Sequence, residues 1–257
     1  MNDLDLSGQL VVISGGAGAL GGFISTRLAD CGATVVSVDV VGDAVDEERG
    51  PAQDAKGRVW HLQADVSEST EVDTVLDAVQ DRFVRLPTTV CCHAGVVTSH
   101  PILDYPVEEF DQLIRVNVRG AFVLAQTVAR RWRDAGVAGH LIFTSSWVQD
   151  YPWPEIAPYC ASKAAMYSLM RSFAKELAPY NIRANAILPG IVSAGMARRQ
   201  WDEDPGYRRR AQATIALGEL QDPKSVADAF AFLCSPLASY MTGSPLLVDG
   251  GCALGGA

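Results

Sequence analysis

Tyr159 and Lys163 stand four residues apart in a stretch whose apolar positions, Tyr159, Met166, Met170, Phe173 and Leu177, recur at helical spacing. That spacing puts the lysine on the apolar face, where an ammonium must be paired or solvated. One helical turn from a phenol, it stabilises phenolate and moves the phenol's pKa down from ~10 toward neutrality, which makes the tyrosine a usable proton shuttle. The alternative is a lysine snorkelling past a core tyrosine. Ser145 and Ser146 close the apolar run Leu141–Thr144, and a hydroxyl at the C-terminal end of a strand can donate to a ligand's carbonyl or alkoxide. Neither serine is a nucleophile, because no histidine base lies nearby in sequence and the G-x-S-x-G elbow is missing. Asn117 falls on the apolar stripe of a helix expected from Val107 to about Asp134, together with Phe110, Leu113, Ile114, Ala121, Leu124 and Val128. A buried amide there holds an ordered water or makes a hydrogen bond between elements.

A second constellation lies near the start of the chain. The apolar run Leu10–Ile13 leads into Ser14-Gly15-Gly16-Ala17-Gly18-Ala19-Leu20-Gly21, and Gly16, Gly18 and Gly21 fit G-x-G-x-x-G. Glycines let the backbone approach a pyrophosphate, and the N-terminus of the following helix offers free N–H groups and the positive end of its dipole. Asp39 ends the second apolar run 23 residues after Gly16. A carboxylate there accepts hydrogen bonds from the adenosine ribose and repels a 2′-phosphate, so NAD(H) is expected rather than NADP(H). Asp65, followed by Val66, closes the third run and either reaches the adenine edge or caps a helix from Ser67 onward.

These residues must be carried by a regular frame. Strand-length apolar runs at 34–38, 58–62, 90–92, 141–144, 182–188 and 246–248 follow the first and alternate with helical stretches. The pattern predicts an α/β fold, a doubly wound parallel sheet with helices on both faces. In the first helix Leu20, Phe23, Ile24 and Leu28 share a face and Gly32 stops it. No repeat or linker divides the 257 residues, so a single domain over 1–257 is expected, with 191–214 as a charged insertion. With 48% hydrophobic residues a large core is available, and a net charge of −9 offers no general attraction to nucleic acid or an anionic membrane. The acidic N-terminus predicts no secretory signal, and no run approaches the ~18–20 apolar residues of a membrane span, so a cytosolic protein acting on a small molecule is expected. Six cysteines without metal-ligand spacing are expected to be buried thiols, and no metal site is expected.

From Leu6 to Gly251 the sequence resembles the short-chain dehydrogenase/reductase family. The likeness rests on SGGAGALG at 14–21, Asp39, Asp65-Val66, His93-Ala94-Gly95, Asn117, Ser146, the YCASK at 159–163, Leu188-Pro189-Gly190, and a tail of ASYMTG followed by LLVDGG. It implies a seven-stranded Rossmann sheet, a tetrad of Asn117, Ser146, Tyr159 and Lys163, and a homotetramer. Tyr159 would take the hydroxyl proton as hydride leaves the same carbon for nicotinamide, or the reverse. Ser146 would hold the substrate oxygen, Lys163 would bind the nicotinamide ribose, and Asn117 would fix a water that relays protons. The cofactor would lie along Ser14, Gly15, Gly18, Ala19, Leu20, Gly21, Asp39, Asp65, Val66, Ala94 and Gly95, then Tyr159, Lys163, Pro189, Gly190 and Val192. Three positions depart from the family pattern. Ala19 stands for the second loop glycine, Cys92-His93 for the Asn-Asn pair before Ala94-Gly95, and Ala194 for a threonine, with Ser193 as its substitute.

Trp153-Pro154 before the tetrad tyrosine is similar to glucose 1-dehydrogenase-like sugar and polyol dehydrogenases. Tyr151, Trp153 and Trp201 offer faces for a sugar ring or pack on one another. The resemblance makes 191–214 a substrate lid. Its Arg198 and Arg199 suggest an anionic substrate such as a sugar acid, against the alternative of a solvated helix with internal ion pairs. A 3-oxoacyl-carrier-protein reductase is the other enzyme reading.

Overall fold

In the computed structural model, which describes residues 4–41 and 58–254, seven strands form one parallel sheet. The acidic start of the chain, residues 1–3, lies outside them. The strands are β1 (Leu10–Ser14), β2 (Thr34–Asp39), β3 (Arg58–Gln63), β4 (Thr89–Cys92), β5 (Gly139–Thr144), β6 (Ile182–Pro189) and β7 (Pro245–Val248), in the order β3-β2-β1-β4-β5-β6-β7. Each matches an apolar run of the sequence. The four central strands β1, β4, β5 and β6 carry almost nothing but buried side chains, as a sheet covered on both faces requires. The edge strands β3 and β7 are only half buried, and β7 opens with Pro245, which an edge tolerates.

Helices α1 (Gly21–Asp30) and α8 (Pro223–Cys234) cover one face, burying Ile24, Leu28, Val226 and Phe230 against β1, β4 and β6. Helices α2 (Ser69–Phe83), α4 (Ala121–Ala135) and α5 (Ala157–Leu177) cover the other with Leu76, Leu124, Trp132 and Met170. The chain leaves β1 toward β2 and β3, then returns to place β4 on the other side of β1. The order therefore reverses between β1 and β4, and the crevice beyond their C-terminal ends is where such sheets take ligands.

The helix expected from Val107 to about Asp134 is interrupted. Helix α3 (Val107–Ile114) passes through a π-helical turn, Arg115–Gly120, into α4. The wider turn takes up an extra residue, yet the expected stripe runs through it, with Leu113, Asn117, Ala121, Leu124 and Val128 all buried. Phe110, expected in the buried stripe, is 41% exposed, whereas Asn117 inside the π turn is fully buried. Helices α6 (Gly195–Glu203) and α7 (Pro205–Thr214) fill the expected insertion and pack a third cluster around Trp147, Ile191, Tyr207 and Ile215. Among the described residues no helix is long and apolar enough to cross a membrane.

Candidate active site

Three consecutive residues at the end of β5 hold α5. The Thr144 carbonyl accepts from Lys163 Nζ at 2.7 Å. The Ser145 hydroxyl lies 2.8 Å from the Lys163 carbonyl, and Ser146 stands by the Tyr159 hydroxyl, near enough to favour its ionised form. The phenol and the ammonium of one helix are thus registered against one strand end. Ser145, taken at first only as a candidate donor to substrate, anchors the helix backbone instead.

The electrostatics differ from the expectation that Lys163 draws Tyr159 toward neutrality. Lys163 Nζ stands 5.3 Å from the centre of the Tyr159 ring and spends its hydrogen bond on Thr144. Burial dominates and pushes the phenol up to about 12, Cys160 adds to this, and Ser146 offsets only part of it. Burial also lowers the lysine to about 8, so it still carries its proton at neutral pH. The resting tyrosine is an acid with its proton in place.

Asn117 does not line the cavity. Its Oδ1 accepts from the Val96 N–H at 2.8 Å, and its Nδ2 donates to the Val96 carbonyl and to Ser162 Oγ, both at 3.0 Å. The amide is therefore a brace between the irregular segment following β4 and helix α5. Its Oδ1 and Lys163 Nζ both stand beside Gly95, where a Cβ would meet them at 3.3 and 3.5 Å.

A cavity of about 580 Å³ runs from Asp39 past Tyr159 to helices α6 and α7, a size suited to a cofactor and a small substrate. Gly15, Gly18, Ala19, Leu20, Asp39, Asp65, Val66, Ala94, Gly95, Pro189, Gly190 and Val192 line it, as do Ser146, Tyr159 and Lys163. Two expected cofactor residues do not. Ser14 is buried behind the loop, where its hydroxyl accepts from the N–H groups of His93 and Ala94, each at 3.1 Å, and so joins β1 to the end of β4. Gly21 serves close packing, because a Cβ there would overlap the Gly15 carbonyl oxygen.

The groove fits a dinucleotide on two observations. Gly15 takes a φ of +73° and leaves so little room that a Cβ would sit 2.8 Å from Ala94 Cα, which brings bare backbone to the groove wall. No side chain caps the N-terminus of α1, so the positive end of its dipole is left open behind Gly18, Ala19 and Leu20, which line the groove, although the Gly22 and Ile24 N–H groups already donate to the Gly18 and Leu20 carbonyls. At the far end the Asp39 carboxylate accepts from the Ala17 N–H at 3.2 Å and closes β2 beside Val40. Asp65 behaves as a turn carboxylate. It accepts from the Ser67 N–H at 2.9 Å and from Arg115 at 3.1 Å. Burial raises its pKa, but the Ser67 hydrogen bonds and the charges of Arg115 and Arg119 outweigh this and leave it below the usual carboxylate range. The helix it precedes begins at Ser69 with Glu68 as its cap, so Asp65 is not the cap. Nicotinamide adenine dinucleotide would supply the hydride acceptor or donor in such a groove.

On the side of helices α6 and α7 Trp153 lines the cavity, edge-on to Trp147 and Tyr207. Arg198, Arg199, Trp201 and Ser193 do not line it, and Tyr151 stays 45% exposed. Arg198 pairs with Asp202 at 2.8 Å one turn on, and Trp201 packs into the third cluster with Arg208 over its ring. Met196, Ala197, Gln200 and Tyr207, which the sequence reading passed over, do line it. The i, i+1, i+4 spacing of Met196, Ala197 and Gln200 puts them on one face, opposite the arginines, and was the available signal. All six cysteines are buried and unpaired, and no cluster of metal-binding side chains occurs among the described residues.

Residues 15–253 match the family model described as "Enoyl-(Acyl carrier protein) reductase". The (3R)-3-hydroxyacyl-CoA dehydrogenase of Rattus norvegicus is 33% identical, over 97% of this chain and 98% of its own. The NAD-dependent glycerol dehydrogenase of Listeria innocua is 29% identical, over 97% and 95%. The crystal structure of a 3-ketoacyl-(acyl-carrier-protein) reductase from Brucella melitensis complexed with NADH superposes with a TM-score of 0.85 at 30% identity, covering 96% of this chain and 99% of that one. With the glycine-walled groove at the switch point and Tyr159, Lys163 and Ser146 gathered at one strand end, the chain belongs to the short-chain dehydrogenase/reductase family, oxidoreductases that act on hydroxyl and keto groups with a nicotinamide cofactor.

Proposed function

We propose that the protein is an NAD(H)-dependent oxidoreductase for a secondary alcohol, or its ketone, whose body is uncharged and largely apolar. The observation that carries the substrate class is the wall beyond Ser146 and Tyr159. It is built from Val97, Val148, Trp153, Ile156, Met196 and Tyr207, and the one cation lining the cavity among the described residues, Lys163, is committed to Thr144. Burying a charged or polyhydroxylated ligand against such a wall leaves its polar groups unpaired, at roughly 1–3 kcal/mol for each. A sugar acid loses its basis, since Arg198 and Arg199 do not line the cavity. A polyol remains as a second reading because Ser99, Gln112 and Gln200 also line it beside the faces of Trp153 and Tyr207. A 3-oxoacyl thioester fits the apolar wall, and the Brucella reductase in complex with NADH removes the objection that such a substrate demands NADPH.

In this reading Tyr159 gives its proton to the substrate oxygen in reduction and takes it in oxidation, while Ser146 holds that oxygen by a hydrogen bond. Lys163 stays charged behind the ring, and Asn117 braces Val96 and α5. Asp39 favours NAD(H), because its carboxylate stands where a 2′-phosphate would add negative charge. Residues 191–214 act as a substrate lid. A cytoplasmic location and a homotetramer belong to the same reading, the latter testable by light scattering after size exclusion.

The test follows NADH absorbance with NAD and NADP against apolar secondary alcohols, acyl thioesters, polyols and sugar acids. An apolar alcohol or acyl thioester with NAD is expected to give the highest kcat/KM, and preference for a sugar acid would overturn the substrate class. Tyr159→Phe is expected to lower kcat by about 10²–10⁴-fold while NAD binding persists. The elevated phenol also fixes the pH response. Reduction uses the protonated form and should be flat through neutral pH, whereas oxidation needs the proton removed and should rise as pH climbs toward the alkaline range.

A further inference from the structure

The β4–β5 ladder ends with Cys92 opposite Phe143. The next residues along, His93 and Thr144, are joined through their side chains, His93 Nδ1 lying 3.0 Å from Thr144 Oγ1. Thr144 is also the residue whose carbonyl seats the Lys163 ammonium, and it begins the three-residue strand end that registers α5. His93 is itself fixed, since its N–H donates to Ser14 Oγ at 3.1 Å and its ring stands edge-on to Phe230 at 5.9 Å. We propose that His93 is a positioning residue for the reaction: by tying the end of β4 to the Thr144 hydroxyl, it holds in place the carbonyl that sets Lys163 beside Tyr159.

The chemistry of the imidazole suits a fixed tie rather than a proton carrier. Burial, with the Lys163 charge adding to it, pushes His93 down to about 3, so the ring is neutral under working conditions and keeps one donor and one acceptor. The family's amide at this position could make a comparable bond from a shorter side chain. Histidine reaches the same hydroxyl with a planar ring that also packs on Phe230. A displacement of a few tenths of an ångström at Thr144 passes directly to Lys163 Nζ, and reaction geometry is sensitive on that scale.

The inference rests on the oxidoreductase reading, and the experiment separates the two. His93→Phe keeps a ring against Phe230 but removes the bond, Thr144→Val removes the hydroxyl at nearly constant volume, and His93→Asn restores a bonding group. Each variant and the His93→Phe/Thr144→Val double are assayed for kcat, KM, the pH profile of oxidation and thermal midpoint. His93→Phe and Thr144→Val are each expected to lower kcat by about 10–100-fold with KM within about twofold, and to displace the alkaline rise of the profile. The double should be no slower than the worse single, and His93→Asn should recover most of the rate. Wild-type kcat and pH profile in His93→Phe, or multiplying losses in the double, would overturn the proposal. So would losses that only follow the thermal midpoint. If the wild type oxidises no secondary alcohol, or Tyr159→Phe is fully active, the oxidoreductase reading fails first. If Tyr159→Phe is inactive and His93→Phe is normal, only the role of His93 fails.

Discussion

Along the dinucleotide groove the wall is largely backbone, brought close by Gly15 and braced behind by Gly21 and Ser14; under α6 and α7 the wall is side chains, Met196, Gln200 and Tyr207 among them. A backbone wall is specified by which residues lack a Cβ and by where strands end. A side-chain wall is specified by the tilt of two short helices. The first admits few sequences and one ligand shape, whereas the second can be refitted residue by residue without disturbing the strand end that carries Tyr159 and Lys163.

The sharpest way to break this contrast is a matched pair of glycine substitutions. Gly15 and Gly195 both take positive φ, but a Cβ at 15 meets Ala94 Cα at 2.8 Å while one at 195 meets only Ala19 Cβ at 3.6 Å. Gly15→Ala is expected to cost about 2–4 kcal/mol and abolish measurable NAD binding, against about 1 kcal/mol and intact binding for Gly195→Ala. Denaturant melts and fluorescence titration with NAD read both, and equal effects would dissolve the contrast.

Lys163, where the two regions meet, gives the next largest effect. Its folded value of about 8 lies below its ordinary 10.5, so the unfolded chain binds more protons between those values and stability rises with pH across that window. At pH 7 the buried ammonium is a net cost, and Lys163→Met should gain about 1–3 kcal/mol in denaturant melts while activity disappears. A destabilised variant would show that the bond to Thr144 outweighs the burial. Smaller still, Trp153→Ala should raise KM for an apolar substrate about tenfold and leave NAD affinity unchanged, since its ring lines the lid side alone. Least of all, Arg198→Ala and Arg199→Ala should stay within about 0.5 kcal/mol of wild type in stability and within twofold in KM, as exposed groups outside the cavity. A selective rise in KM for an acidic substrate would return these arginines to the site.

The same division explains what the amino-acid sequence discloses. The central strands were legible because a parallel sheet buried on both faces writes continuous apolar runs, the half-buried edge strands β3 and β7 by shorter or mixed runs, and the glycine loop because its constraint is steric and local. Spacing identified Tyr159 and Lys163 but not their acidities, which depend on burial from other elements. It also could not tell that Ser14 turns away from the groove, since that direction is set by β4. On the lid, arginines drew attention by their charge while the less conspicuous Met196 and Gln200 face inward. The helical stripe held from Leu113 to Val128 and missed at Phe110, which stands near the exposed start of α3, upstream of the π turn.

That turn has a consequence for chain length. Deleting one residue from 115–120 would let the turn tighten to a regular α pitch and fuse α3 and α4 into one rod; the flanking segments would keep their phase, but Asn117 would be carried round from its place inside the turn. The brace on Val96 would then swing out of register with helix α5. The spare residue in that coil acts as a spacer, and a single-codon loss there should disable the protein more thoroughly than most point substitutions on the same helix.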